Sequence, residues 1–272
     1  MNSQSKKPVD SKRTAREKAA EARAAAQAAE RRRDRTVRLV GAVVVVVVVA
    51  AIVLVGVLGH KSTPQAGASN PNAALPTGVS KVDYGVPYGT APKTAPRLDI
   101  WEDFQCPICK ELEVANGATI ESLAQQGKVQ LYWHPATFIE QRFPNSNRSS
   151  TRAAYAWGCA VDAGKTLDYH NGIFAMQSAT EGAGYTDAQL LGLATQVGIT
   201  GNAYTTFQQC FSSAKYLQWT INSENSFTAQ GIGGTPTGIL NGKTIPNSVL
   251  FDPKALTAAI SAAGPAPTPS VS

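Results

Sequence analysis

Trp101-Glu102-Asp103-Phe104-Gln105-Cys106-Pro107-Ile108-Cys109-Lys110 is the stretch on which the reading of this chain turns. Its first half belongs to Arg97 to Phe104 (RLDIWEDF), where polar and apolar residues alternate as in a strand. Its second half opens Pro107 to Gln126, where Ile108, Leu112, Val114, Ile120 and Leu123 carry helical spacing and Gly127 ends the run. Cys106 therefore stands at a strand-to-helix junction. The free N–H groups and positive end of the helix stabilise a thiolate there, which makes Cys106 both a nucleophile and a good leaving group. Pro107 suits the first helical turn, where a missing N–H costs nothing. Cys109 lies one turn along on the same face and can resolve a mixed disulfide formed at Cys106. Two other uses of a CxxC compete. A zinc site usually offers a second close pair, but Cys159 and Cys210 are isolated. A purely structural bridge would close too small a loop to stabilise much.

Outward from this site the pattern is α/β. Lys128 to His134 (KVQLYWH) reads as a second strand. From Asn147 to about Ala229 the signals turn helical, with a capping box at Thr186-Asp187-Ala188-Gln189. Thr237 to Asn241 and Lys243 to Pro246 fit a hairpin around Asn241-Gly242, and Asp252 or Pro253 opens a last helix through Ala263. A helical block of this size within an α/β unit is an insertion. The 185 or so residues involved suffice for one core. Trp101, Phe104, Trp133 and Phe138 are expected in that core. His60, His134 and His170 are expected to be structural or exposed.

The first 38 residues hold 12 Lys+Arg and five Asp+Glu, a charge of +7. The other 234 hold 13 and 14, a charge of −1, so the net +6 belongs to one tail. A nucleic-acid-binding domain needs its basic residues on the folded part, so that class is excluded. Leu39 to Leu58 (LVGAVVVVVVVAAIVLVGVL) carries no charge, and as a helix it spans about 30 Å of hydrocarbon. It reads as one transmembrane helix. It exceeds the apolar core of a cleaved signal peptide, although Ala66-Gly67-Ala68 offers a cleavage site as the competing reading. Arg31, Arg32, Arg33, Arg35 and Arg38 precede the span and only Lys61 closely follows it. The positive-inside rule puts residues 1–38 in the cytoplasm and residues 60–272 outside, in a cell membrane protein. Residues 59–79 read as a flexible linker, 80–263 as the folded domain with its insertion at about 147–229, and 264–272 as a disordered end.

The stretch around Cys106 resembles the active-site segment of DsbA-like thioredoxin-fold thiol–disulfide oxidoreductases. Gly233-Gly234-Thr235-Pro236-Thr237 resembles the cis-proline loop of the same family. The resemblance covers roughly residues 80 to 263 and implies a thioredoxin fold with a helical insertion. It implies that Pro236 faces the CxxC and that the backbone at Gly234 and Thr235 pairs with a substrate peptide. The buried acid that many relatives place six residues before the first cysteine is Ile100 here. Asp103, with Glu102 beside it, is the candidate to move a proton at Cys109. The cysteines enclose Pro107-Ile108 rather than the Pro-His of the best-known oxidase. Some actinobacterial members are similar in carrying a second disulfide in the insertion, which implies a Cys159–Cys210 bridge; two buried free thiols are the alternative.

What the resemblance implies in function is a membrane-tethered oxidant of thiols in exported proteins, working through Cys106–Cys109. Its partner in reoxidation would be a DsbB-like or vitamin K epoxide reductase-like membrane protein. No cofactor or resident metal is expected. A reductase or isomerase with the same site is the alternative, and a metal-binding anchored adaptor is a more distant one.

Overall fold

The computed structural model describes residues 67–143 and 147–266, which fall in one compact unit, Pro64–Ser272. The basic tail, the apolar span Leu39 to Leu58, the first part of the linker and residues 267–272 lie outside the described residues. Among the described residues no helix is long and apolar enough to cross a membrane.

Five strands form one sheet. They are β1 (Val86–Tyr88), β2 (Arg97–Glu102), β3 (Gln130–Pro135), β4 (Thr237–Leu240) and β5 (Lys243–Ile245), in the spatial order β1-β3-β2-β4-β5. β2 and β3 are parallel, as strands joined through a helical crossover are; the other pairs are antiparallel. Leu98 pairs with Leu131 and Ile100 with Trp133, so four large apolar side chains line one face of the sheet, all buried. Asn241 and Gly242 both have positive φ, as a two-residue hairpin turn between β4 and β5 demands.

The helix expected over Pro107 to Gln126 is interrupted. α1 (Pro107–Leu112) passes through a π turn, Glu113–Gly117, into α2 (Ala118–Gln125). Asn116 in the π turn is buried and donates to the Leu250 carbonyl at 2.6 Å. Ile108 and Val114, expected on the apolar face, point outward, 43% and 82% exposed. They flank the redox site rather than the core.

After β3 comes a short helix α3 (Ile139–Arg142) and then the insertion. The insertion comprises α4 (Ser149–Asp162), α5 (Thr166–Ala175), α6 (Asp187–Gln196), α7 (Gly201–Ser212) and α8 (Leu217–Ala229). α6 starts at the expected capping box, with Thr186 and Gln189 bonded reciprocally. α4 packs closely because Gly158 lacks a side chain: a Cβ there would meet the ring of Tyr216 at 2.8 Å and Trp219 at 3.1 Å. Cys159 on α4 and Cys210 on α7 form a disulfide, 51 residues apart in sequence. The chain closes with α9 (Asn247–Leu250) and α10 (Pro253–Ala263), the latter capped by Asp252.

The linker and the C-terminal end depart from expectation. Residues 67–79 pack onto the insertion: Pro76 is buried and Leu75 and Val79 lean on the core. Gln218, Asn222 and Asn225, at helical spacing on α8, donate to the carbonyls of Ala68, Asn70 and Gly67. Amide side chains satisfy the extended backbone of this stretch, which Ser, Pro and Asn content alone made look unstructured. Gly264 and Pro265 likewise offer their carbonyls to Asn241.

Candidate active site

β2 delivers the redox segment to the C-terminal edge of the sheet. Cys106 caps α1 in an extended conformation, and Pro107 fills the first helical position. Both cysteines stand as free thiols and both are buried. The Cys109 thiol and, less strongly, the backbone N–H groups of Cys109 and Ile108 approach the Cys106 sulfur. Against the opposing effect of burial they lower its pKa from 9.0 to about 6. Cys109 behaves oppositely. Burial first, then the neighbouring Cys106, push it well above the usual thiol range. One sulfur is thus set to leave and attack as an anion, the other to hold a proton.

The Thr235–Pro236 bond is cis. It brings the Thr235 carbonyl to 3.4 Å from Cys106 Sγ, so the loop of Gly234, Thr235 and Pro236 faces the CxxC. A groove of about 340 Å³ adjoins the CxxC at Pro107 and is lined also by Lys110, Val114 and Gln177 among others.

Asp103, the acid expected to move a proton, is also a structural tie. It is fully buried, and its two oxygens accept from Gln105 N (2.9 Å), Ile139 N (3.0 Å) and the Ser150 hydroxyl. It ties the redox segment to α3 and α4, and burial above all, with the Cys106 charge as a smaller cause, pushes its pKa well above the usual carboxyl range. Glu102 is coupled by charge to both sulfurs. It too is buried, and burial and then the Cys106 charge push its pKa well above the usual carboxyl range. Its charge in turn acts on Cys109.

Glu102 has two companions that the sequence did not single out. His170 from α5 meets it, Nε2 to Oε2, at 3.1 Å, and Glu113 lies on the same side. Asn171 donates to Glu121, so its carbonyl oxygen faces His170 Nδ1 at 2.9 Å and that nitrogen carries a hydrogen. Nε2 is left to share a proton with Glu102. Burial, then the Glu102 charge, raise Glu113 to about 8. The three side chains offer ligand atoms within 4.8 Å of one another. The one available signal was spacing: Glu113 follows Cys109 by four residues and so shares its helix face.

A Glu102→Gln substitution keeps the shape and removes the proton exchange. The step that releases Cys109 is expected to slow on the order of 10²-fold at neutral pH. Stopped-flow mixing of the oxidised chain with a dithiol peptide measures it, and a rate equal to wild type would return the role to another group.

A family model described as Thioredoxin matches residues 84–262. The chain belongs to the thioredoxin family. No curated protein sequence matches it at a significant level. Among solved structures it is similar to MdbA, a thiol-disulfide oxidoreductase from Actinomyces oris, at 25% identity and a TM-score of 0.59, over 72% of this chain and 95% of that one. It also resembles reduced DsbA from Mycobacterium tuberculosis (24%, TM-score 0.53, 72% and 89%) and oxidised BdbD from Bacillus subtilis (20%, 0.56, 70% and 97%). At those identities the last two are likenesses of fold. With its CxxC at the start of α1, this thioredoxin-family chain is a DsbA-like thiol–disulfide oxidoreductase.

Proposed function

We propose that the protein oxidises thiols of exported proteins from a membrane tether outside the cytoplasm. The observation that carries the direction is the split between the two cysteines. A Cys106 thiolate stabilised in the reduced form favours reduction of the enzyme, and hence oxidation of its substrate. In the oxidised enzyme a substrate thiolate attacks Cys106 Sγ and the Cys106–Cys109 bond breaks. Cys109 leaves as a thiolate and takes a proton from Glu102. The substrate's second thiolate then attacks its own sulfur in the mixed disulfide, and Cys106 leaves as an anion. Substrate has lost two electrons and the enzyme has gained them. A DsbB-like or vitamin K epoxide reductase-like membrane protein then accepts the pair. The cis-proline loop and the groove supply a backbone edge and an apolar floor for an unfolded client.

The tether reading rests on Leu39 to Leu58 and on the arginines before it. Two measurements on the full-length chain test the whole. Equilibration with glutathione is expected to give a potential above about −200 mV, and a value near that of thioredoxin, about −270 mV, makes it a reductase instead. A reporter fused at the C-terminus is expected to be active only outside the cytoplasm; activity inside removes the role in export.

A further inference from the structure

A helix is ordinarily started by its cap residue, whose side chain accepts from the first free N–H groups. Here the cap is Cys106: the N–H groups of Ile108 and Cys109 approach its sulfur, but no cap hydrogen bond of ordinary geometry is closed. The first turn has also lost an N–H to Pro107. Something else must hold the turn still.

Gln177, two residues beyond α5, does so from the insertion. It is only 9% exposed, and its side-chain nitrogen donates to the carbonyls of Phe104 at 2.9 Å and Cys106 at 3.0 Å. An amide nitrogen has two hydrogens, and both are committed. The backbone carbonyl of Gln177 accepts from Lys110 Nζ at 3.1 Å. One residue thus grips the chain before the cap, at the cap and one turn after it. Tyr185 adds a second donor to the Phe104 carbonyl. The Cys106 carbonyl has no such second grip: besides Gln177 it has the N–H of Lys110 at 3.3 Å, a long bond.

We propose that Gln177 is a positioning residue that sets the reactivity of Cys106, and that the helical insertion governs the redox site through it. This rests on the thiol–disulfide reading above. The peptide planes fixed at residues 104 and 106 determine where the sulfur lies relative to the N–H groups of Ile108 and Cys109. When these planes slacken, those N–H groups stabilise the thiolate less and the reduced enzyme loses its advantage.

The test uses the full-length chain with Gln177→Ala and Gln177→Glu. Ultraviolet absorbance of the thiolate follows Cys106, and glutathione equilibration follows the disulfide. Gln177→Ala is expected to raise the Cys106 midpoint and to move the glutathione equilibrium roughly tenfold toward the oxidised enzyme, since one pKa unit is one tenfold factor. Gln177→Glu sets an acceptor against two carbonyls and is expected to move both readings further. Tyr185→Phe leaves the Cys106 carbonyl held and is expected to move them less. Thermal melts establish that each variant is folded; if Gln177→Ala does not fold, Gln177→Asn, too short to reach both carbonyls, takes its place. Folded variants with the wild-type midpoint and equilibrium overturn the proposal. Failure of the underlying reading is distinguishable, because the unmodified chain would then exchange no disulfide with glutathione at all.

Discussion

Cys106→Ser in the full-length chain reduces thiol–disulfide exchange to the uncatalysed background, whereas Cys109→Ser accumulates mixed disulfides with its substrates. The asymmetry follows from the places of the two sulfurs. Cys106 receives the N–H groups at the start of α1 and faces Thr235, so only it meets an incoming thiolate. Cys109 is fully buried one turn below, and its task is to be displaced and to return. The wild-type reaction of the reduced enzyme with a small disulfide should fall as pH drops through about 6, where the Cys106 anion takes up its proton and ceases to be a nucleophile. Non-reducing gels after acid quenching count the trapped adducts. Undiminished exchange by Cys106→Ser, or a half-point near pH 9, would remove the basis of the mechanism.

The double substitution Cys159→Ala with Cys210→Ala should cost about 4 kcal/mol of stability, the chain-entropy value for closing a loop of this length. In a domain of this size that lowers Tm by about 10 °C. The bridge joins α4 to α7 across a core that contains Trp157, Tyr169, Phe207 and Trp219. Catalysis at Cys106 should survive below the new melting point, because neither sulfur is among the groups that act on Cys106 or Cys109. Differential scanning calorimetry with parallel activity at low temperature separates the two effects. A Tm within a degree or two of wild type would mean that packing, not the bridge, holds the insertion.

What could be read in advance was the chemistry written in neighbouring residues. The CxxC at a strand end, the Thr235-Pro236 loop, the Asn241-Gly242 turn and the Thr186 capping box each state their geometry within a few positions. β1 was missed because Val86-Pro87-Tyr88 sits between glycines and carries a proline, tolerated there only because the strand is at an edge. Contacts across the insertion were equally hidden. Glu102 and His170 are 68 residues apart, and nothing local distinguishes a shared buried proton from two surface charges. The ties of Asp103 were hidden for the same reason: its partners Ile139 and Ser150 come from elements whose docking no spacing reveals. The outward turn of Val114, inside a π turn that periodicity treats as plain helix, is another instance.

The cross-link between α4 and α7 also bears on how this catalyst comes into being. A newly made copy has four thiols, and two of them must be joined before its insertion is complete. If its trade is making such links outside the cytoplasm, its own maturation is an instance of that trade. Mature copies then help to finish younger ones, and the population becomes self-propagating, with an outside oxidant needed to start the lineage.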